Sequence, residues 1–181
     1  PNTASIDTRW LALNNEKPLF HDRRVRQAMA LAFDFEWMNK ALFYNAFKRA
    51  SSYFQNTQYA AQGVPDAAQR KILAPFKSQL PPEIFTEAYA PAKTDGSGYD
   101  RANLLKAMSL LNQAGWHIHN QRLVNDKTGQ PFTLELLLPA GVNSEWALPY
   151  QQSLSRLGIT LTLRQIDSSQ YLRRLRSGDY D

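Results

Sequence analysis

Apolar positions recur along this chain first as a short run, then at helical spacing, and later at strand spacing. Trp10, Leu11, Ala12 and Leu13 form an apolar run ending at Asn14-Asn15, which predicts a buried strand leading into a loop at Lys17-Pro18. From Asp22, read as an N-cap, Val25, Ala28, Met29, Ala32 and Phe33 follow at helical spacing. Asp34 is placed to cap a second helix carrying Trp37, Ala41 and Phe47.

Between Ser51 and Gly98 no period is sustained. A helix near Asp66 to Leu73 and a turn at Pro81-Pro82-Glu83 interrupt a long stretch of Tyr, Phe, Gln, Pro and Ala. An excursion of that length is functional or interface-forming more often than a plain connector. Gly96-Ser97-Gly98 closes it, and Asp100 then caps the clearest helix, with Leu104, Leu105, Met108 and Leu111 as its stripe and Gly115 at its C-terminal end.

Strand spacing follows. Arg122 to Val124 and Phe132 to Leu138 read as a hairpin across Asn125 to Gly129, with Phe132, Leu134, Leu136 and Leu138 on one face. Ser144 is placed to cap a helix bearing Trp146, Tyr150, Leu154 and Leu157, with Pro149 tolerated near its start. Gly158 ends that helix, and Ile159, Leu161 and Leu163 alternate with Thr160, Thr162 and Arg164 as a half-buried strand. Ser168 or Ser169 caps a last helix with Leu172 and Leu175. Phe132 to Ile166 is thus a βαβ unit, whose ligand-gathering end falls at Pro139, Ala140, Gly141, Val142, Asn143 and Ser144.

Composition narrows the class. The 181 residues are 43% hydrophobic and 12% aromatic with 20% charged, which excludes a disordered or fibrous protein. Cys is absent, so neither disulfides nor thiolate chemistry enter. The net charge of +5 comes from scattered Lys and Arg; the trios Arg23, Arg24, Arg26 and Arg173, Arg174, Arg176 fit solvated or architectural helix faces better than a nucleic-acid surface. No apolar run reaches the roughly 18 residues of a membrane span.

Short catalytic signatures are missing, including the phosphate loop, the nucleophile elbow and the zincin motif. No catalytic residue, metal or cofactor is therefore expected. His117 and His119, two apart, would share a face if extended, yet His21 is remote and no further ligand cluster completes a metal site. Asp179 and Asp181 resemble a carboxylate pair without fixed geometry. Trp37, Trp116 and Trp146 are expected in the core. Tyr53, Phe54, Gln55 and Asn56 differ, because aromatics interleaved with amides suit contact with an extended polypeptide.

The block NNEKPLFHDRRVRQAMALAFD, from Asn14 to Asp34, resembles the corresponding block of family 5 extracellular solute-binding proteins, the receptors of peptide and nickel ABC importers. YDRANLLKAMSLLNQAGW, TGQPFTLELLLP, RLGITLTL and the final SGDYD follow in that family's order. FEWMNKALFYNAFKRASSYFQNT and PFKSQLPPEIFTEAY resemble a periplasmic, oligopeptide-binding branch of it.

The resemblance implies a periplasmic binding protein-like fold of type II, cluster C: one α/β lobe over residues 1–181, with a mixed β-sheet flanked by helices. It implies a monomeric periplasmic receptor that clamps oligopeptides between two lobes and passes them to the transmembrane subunits of an ABC permease. This chain would be most of the second lobe, excised at both ends. The segment after SGDYD, which in relatives lines the cleft, would be absent, so no charged ligand anchor can be carried over. The cleft-facing loops fall on Ser52, Tyr53, Phe54, Gln55 and Asn56 and on Ala140, Gly141, Asn143, Ser144 and Glu145. The alternatives are a ligand-sensing domain of a cytoplasmic transcriptional regulator built on the same fold and, third, an enzyme.

Overall fold

The protein is described from a computed structural model covering residues 8–181. These residues divide into two compact units. One comprises residues 8–10 and Lys48–Pro91; the other comprises Leu11–Phe47 and Ala92–Asp181.

The larger unit carries the sheet and most helices. Helix α1 (Arg23–Leu31) starts at Asp22, whose carboxylate accepts from Arg24 N, and it buries Val25, Ala28 and Met29. Helix α2 (Phe35–Phe43) starts at Asp34, which accepts from Trp37 N, and it stops at Tyr44 in a left-handed conformation. Phe47 therefore lies outside the helix and is exposed. Asn39 holds it there, its amide donating to Phe47 O at 2.9 Å while its Oδ1 accepts from Phe47 N at 3.1 Å.

Trp10 to Leu13 form no strand, contrary to the sequence expectation. Trp10 and Leu11 are exposed, because the Trp10 ring stacks on Tyr53 at 5.5 Å instead of entering the core.

Two further helices precede the strands in the chain. In the smaller unit, α3 (Ala67–Leu73) carries a capping box between Asp66 and Gln69. In the larger unit, α4 (Arg101–Gln113) is capped by Asp100 and buries Asn103, Leu104, Ala107 and Leu111. Leu105, expected in the stripe, is exposed; the small Ala107 takes the core position and lets α4 pack closely on α1.

Strands β1 (Trp116–His119) and β2 (Arg122–Asn125) pair antiparallel. Their turn is Asn120-Gln121, both with positive φ, the two-residue geometry that matches strand twist. The hairpin thus forms one strand earlier than the sequence suggested. Arg122 to Asn125 joins the segment that enters the next strand through a bridge from Val124 to Pro131, with Phe132 N donating to Leu123 O at 2.7 Å and Asn125 N to Gln130 O at 3.0 Å. The alternating His of β1 hid the strand among polar residues.

β3 (Thr133–Pro139) and β4 (Thr160–Ile166) run parallel, in register from Thr133 with Thr160 to Pro139 with Ile166. Helix α5 (Ala147–Ser155) crosses between them and packs on β4, giving the expected βαβ unit. Leu137 is buried along with Leu134 and Leu138, so both faces of β3 are covered, as parallel strands require.

Two caps differ from expectation. Ser144 makes no side-chain cap, because the chain enters α5 through Trp146 already in the helical region. Helix α6 (Ser168–Ser177) is capped by Asp167, which accepts from Gln170 N. A carboxylate is favoured there over either serine by the helix dipole.

The core of the larger unit gathers Phe20, Met29, Leu111, Leu123, Phe132, Leu154 and Ile159. Trp116 is buried in it at the edge of Phe132. Trp146 packs against it partly buried. Gly158 allows the close approach of the α5–β4 turn to the hairpin: at φ +75°, its added Cβ would sit 2.7 Å from Leu123 N and 2.6 Å from Ile118 Cδ1.

Candidate functional site

The loop from Ser52 to Asn56 lies in the smaller unit and is built from its own polar groups. Ser52 is buried, and its hydroxyl accepts from Phe54 N at 3.2 Å and from Ala61 N at 2.9 Å. Gln55 Oε1 accepts from Ser51 N at 3.0 Å, so this side chain closes the loop. Asn56 takes a left-handed φ of 66°, which Asn tolerates better than most residues. The hydroxyl of Thr57 donates to Phe54 O at 2.8 Å and accepts from Tyr59 N at 3.1 Å.

That scaffold carries aromatic rings outward. Tyr53 is 79% exposed and Phe54 55%. Trp10 stacks on Tyr53, Tyr53 meets Phe54 edge-on at 5.5 Å, and Phe54 meets Tyr59 at 6.3 Å. Four rings form one exposed strip. Sequence reasoning found two of them. Tyr59 continues the pattern of aromatics between amides, and Trp10 was masked by its apolar neighbours.

The second predicted loop lies in the larger unit, at the carboxyl end of β3, where α/β sheets gather ligands. Ala140 N donates to Ile166 O at 2.7 Å, extending the parallel pairing by one residue. Gly141 turns the chain at φ +80° with open space around it. Asn143 Oδ1 accepts from Glu145 N at 2.9 Å, and Ser144 O accepts from Ala147 N at 2.8 Å. Ala140, Gly141, Asn143 and Glu145 are exposed, and Ser144 is half-buried. The five form a polar rim stabilised by its own backbone.

A cleft of about 650 Å³ also opens in the larger unit, beside Trp37, Leu148, Pro149 and Leu161, and no residue of the two predicted loops lines it. Asp34, at its edge, is committed to structure, accepting from Trp37 N, Gly98 N and the Thr94 hydroxyl.

The charged groups singled out in the sequence have architectural partners. Arg24 bonds Asp22 and donates to Gln113 O at 2.6 Å; Arg26 donates to the Phe20 and His21 carbonyls. The hydrogen bond from Arg24 holds the Asp22 carboxyl below the usual carboxylate range against a smaller opposing effect of burial. Arg174 bridges Glu135 at 2.8 Å and Asp179 at 2.9 Å. Asp181 accepts from Glu135 N at 2.7 Å and from Lys17 Nζ at 2.6 Å. His117 Nδ1 lies 2.7 Å from Asp126 Oδ2. Among the described residues no group of three or more His, Cys, Asp or Glu side chains gathers in a way that could hold a metal ion, and no helix is long and apolar enough to cross a membrane.

Comparison with known proteins decides the family. The model of bacterial extracellular solute-binding proteins, family 5 (middle region), matches residues 1–181. The chain belongs to that family. Among family 5 relatives, YejA of Escherichia coli K12 is 60% identical over 180 residues, 99% of this chain and 30% of its own length. The "Probable peptide-binding protein YejA" of Agrobacterium fabrum is 37% identical over 168 residues, 93% of this chain and 27% of its own length. NikA of Brucella suis, solved in complex with Fe(III)-EDTA, superposes with a TM-score of 0.63 at 27% identity over 94% of this chain and 28% of its own. The chain therefore spans less than a third of the relatives it matches, and its α/β architecture is that of periplasmic binding proteins of the family 5 type.

Proposed function

We propose that this chain is one α/β lobe of the periplasmic substrate-binding component of an ABC importer. In this reading the protein captures oligopeptides between two lobes and delivers them to the permease. The whole-length family 5 match carries it. The peptide-binding name of a 37% identical relative supports peptides as the cargo, as does the loop chemistry. Exposed aromatics on a rigid loop and a polar rim at the end of β3 offer apolar contact and hydrogen bonding, the two things an extended peptide needs. Ser52 to Asn56 and Ala140 to Glu145 are the proposed ligand-facing loops. The chemistry is capture and release with no covalent step.

Native mass spectrometry of the intact protein incubated with a pool of tri- to pentapeptides tests this. Peptide adducts at one per protein molecule are expected. An intact protein that takes up a metal chelate and no peptide contradicts the reading.

A further inference from the structure

We infer that the strip Trp10, Tyr53, Phe54 and Tyr59 is a selectivity element for peptides that carry ring side chains at alternate positions and end in a free carboxylate. The inference rests on the peptide-capture reading above and adds to it which peptides are preferred.

Three observations lead there. Successive ring centroids in the strip are 5.5, 5.5 and 6.3 Å apart. Side chains on one face of an extended peptide recur about every 6.6 Å, close to the spacing of the strip, so successive ligand rings can each lie over one ring of the strip. Aromatic pairs add to the energy of area burial when stacked with an offset or edge to face, and Phe54 already meets both Tyr53 and Tyr59 edge-on. The geometry thus favours rings over aliphatic chains of similar hydrophobicity.

Rigidity is the second observation. Exposed rings on a floppy loop would lose much of their contact energy to ordering, whereas preorganised ones keep it. Here the buried Ser52 hydroxyl ties Phe54 N and Ala61 N, and Gln55 ties Ser51 N. The loop's polar groups fix the backbone and leave the rings in solvent.

Charge supplies the third. Within the smaller unit no acidic residue occurs from Lys48 to Pro65, while that stretch holds Lys48 and Arg49. Lys48 is exposed a few residues before Tyr53. The electrostatic complement of this stretch is a carboxylate rather than an ammonium, which sets the polarity of the bound peptide.

Calorimetry on the intact protein with Ala-Phe-Ala-Phe, Ala-Leu-Ala-Leu and the C-terminal amide of the first peptide tests the inference. The phenylalanine peptide should bind about tenfold or more tighter than the leucine peptide, and its amide should bind more weakly than the free acid. In a Tyr53→Leu, Tyr59→Leu double variant the ratio of phenylalanine-peptide to leucine-peptide affinity should shrink to within about threefold. Both side chains are exposed, so the melting temperature should hold; if it falls, Tyr59→Leu alone gives the same comparison. A phenylalanine advantage that survives in the variants, an equal affinity for both peptides in the unaltered protein, or an amide that binds as well as the acid overturns this inference and leaves peptide capture standing. Failure of every peptide to bind the unaltered protein removes both.

Discussion

Asn14 and Tyr180 lie 166 positions apart, yet the Asn14 amide donates to the Tyr180 carbonyl at 3.0 Å. The same amide donates to Gly178 O at 2.9 Å, and Asn14 N donates to Asp181 O at 2.8 Å. Asp181 in turn binds Lys17 and Glu135 N. One buried asparagine thereby fixes the segment after α6 beside the segment before α1, and Asp181 anchors both to the outer edge of β3.

Replacing Asn14 by Ala should lower stability by about 1 to 3 kcal/mol, the cost of buried polar groups left without partners. Asn14→Asp should be worse, because it sets a carboxylate oxygen against two carbonyls. Urea unfolding of both variants checks the order; an Asn14→Ala variant as stable as the parent would show that the tie is incidental.

Asp22→Ala removes a helix cap and the partner of Arg24, and should cost about 0.5 to 2 kcal/mol near neutral pH. Because the folded carboxyl titrates below its usual range, its contribution is complete above the unfolded value, near pH 4, and is lost as pH falls through the lower folded value. The difference in melting temperature between parent and variant should therefore be flat from about pH 5 to 7 and narrow below about pH 4. Peptide affinity should stay unchanged.

Much of this architecture was legible locally. Asp22, Asp34, Asp66 and Asp100 each announce a helix, and each caps one, because capping needs only a short polar side chain two or three residues from a backbone donor. The alternation in Ile159 to Leu163 likewise gave a true strand. The misses have non-local causes. Trp10 turned outward to meet Tyr53, β1 was concealed by its two histidines, and Leu105 yielded its place to Ala107. The role of Asp181 depends on partners more than 40 residues away, which leaves no mark in its neighbourhood. Of the candidate site, composition revealed the loop aromatics but not that Ser52 and Gln55 serve the loop's own backbone.

Gly158→Ala should cost about 1 to 3 kcal/mol, since it combines left-handed strain with a clash against the hairpin backbone. Gly63→Ala, with a similar φ of 66° and nothing within 4 Å of the added carbon, should cost only about 1 kcal/mol. Parallel thermal melts separate strain from crowding, and equal losses would mean that the approach to Leu123 relaxes freely.

Ser52→Ala should loosen the aromatic loop without unfolding the chain. Peptide affinity of the intact protein is expected to fall by about tenfold as two loop donors lose their shared acceptor, with a small change in melting temperature. An unchanged affinity would remove this loop from the ligand-facing surface.

Capture between two lobes draws binding free energy from both faces and from the water excluded between them. Calorimetry with one peptide against the intact protein and against the present 181-residue chain tests that claim directly. The single lobe should bind at least about 100-fold more weakly, a loss of about 2.7 kcal/mol or more. Equal affinities would contradict it, because the loops of this chain would then hold the peptide alone and no second lobe would be needed.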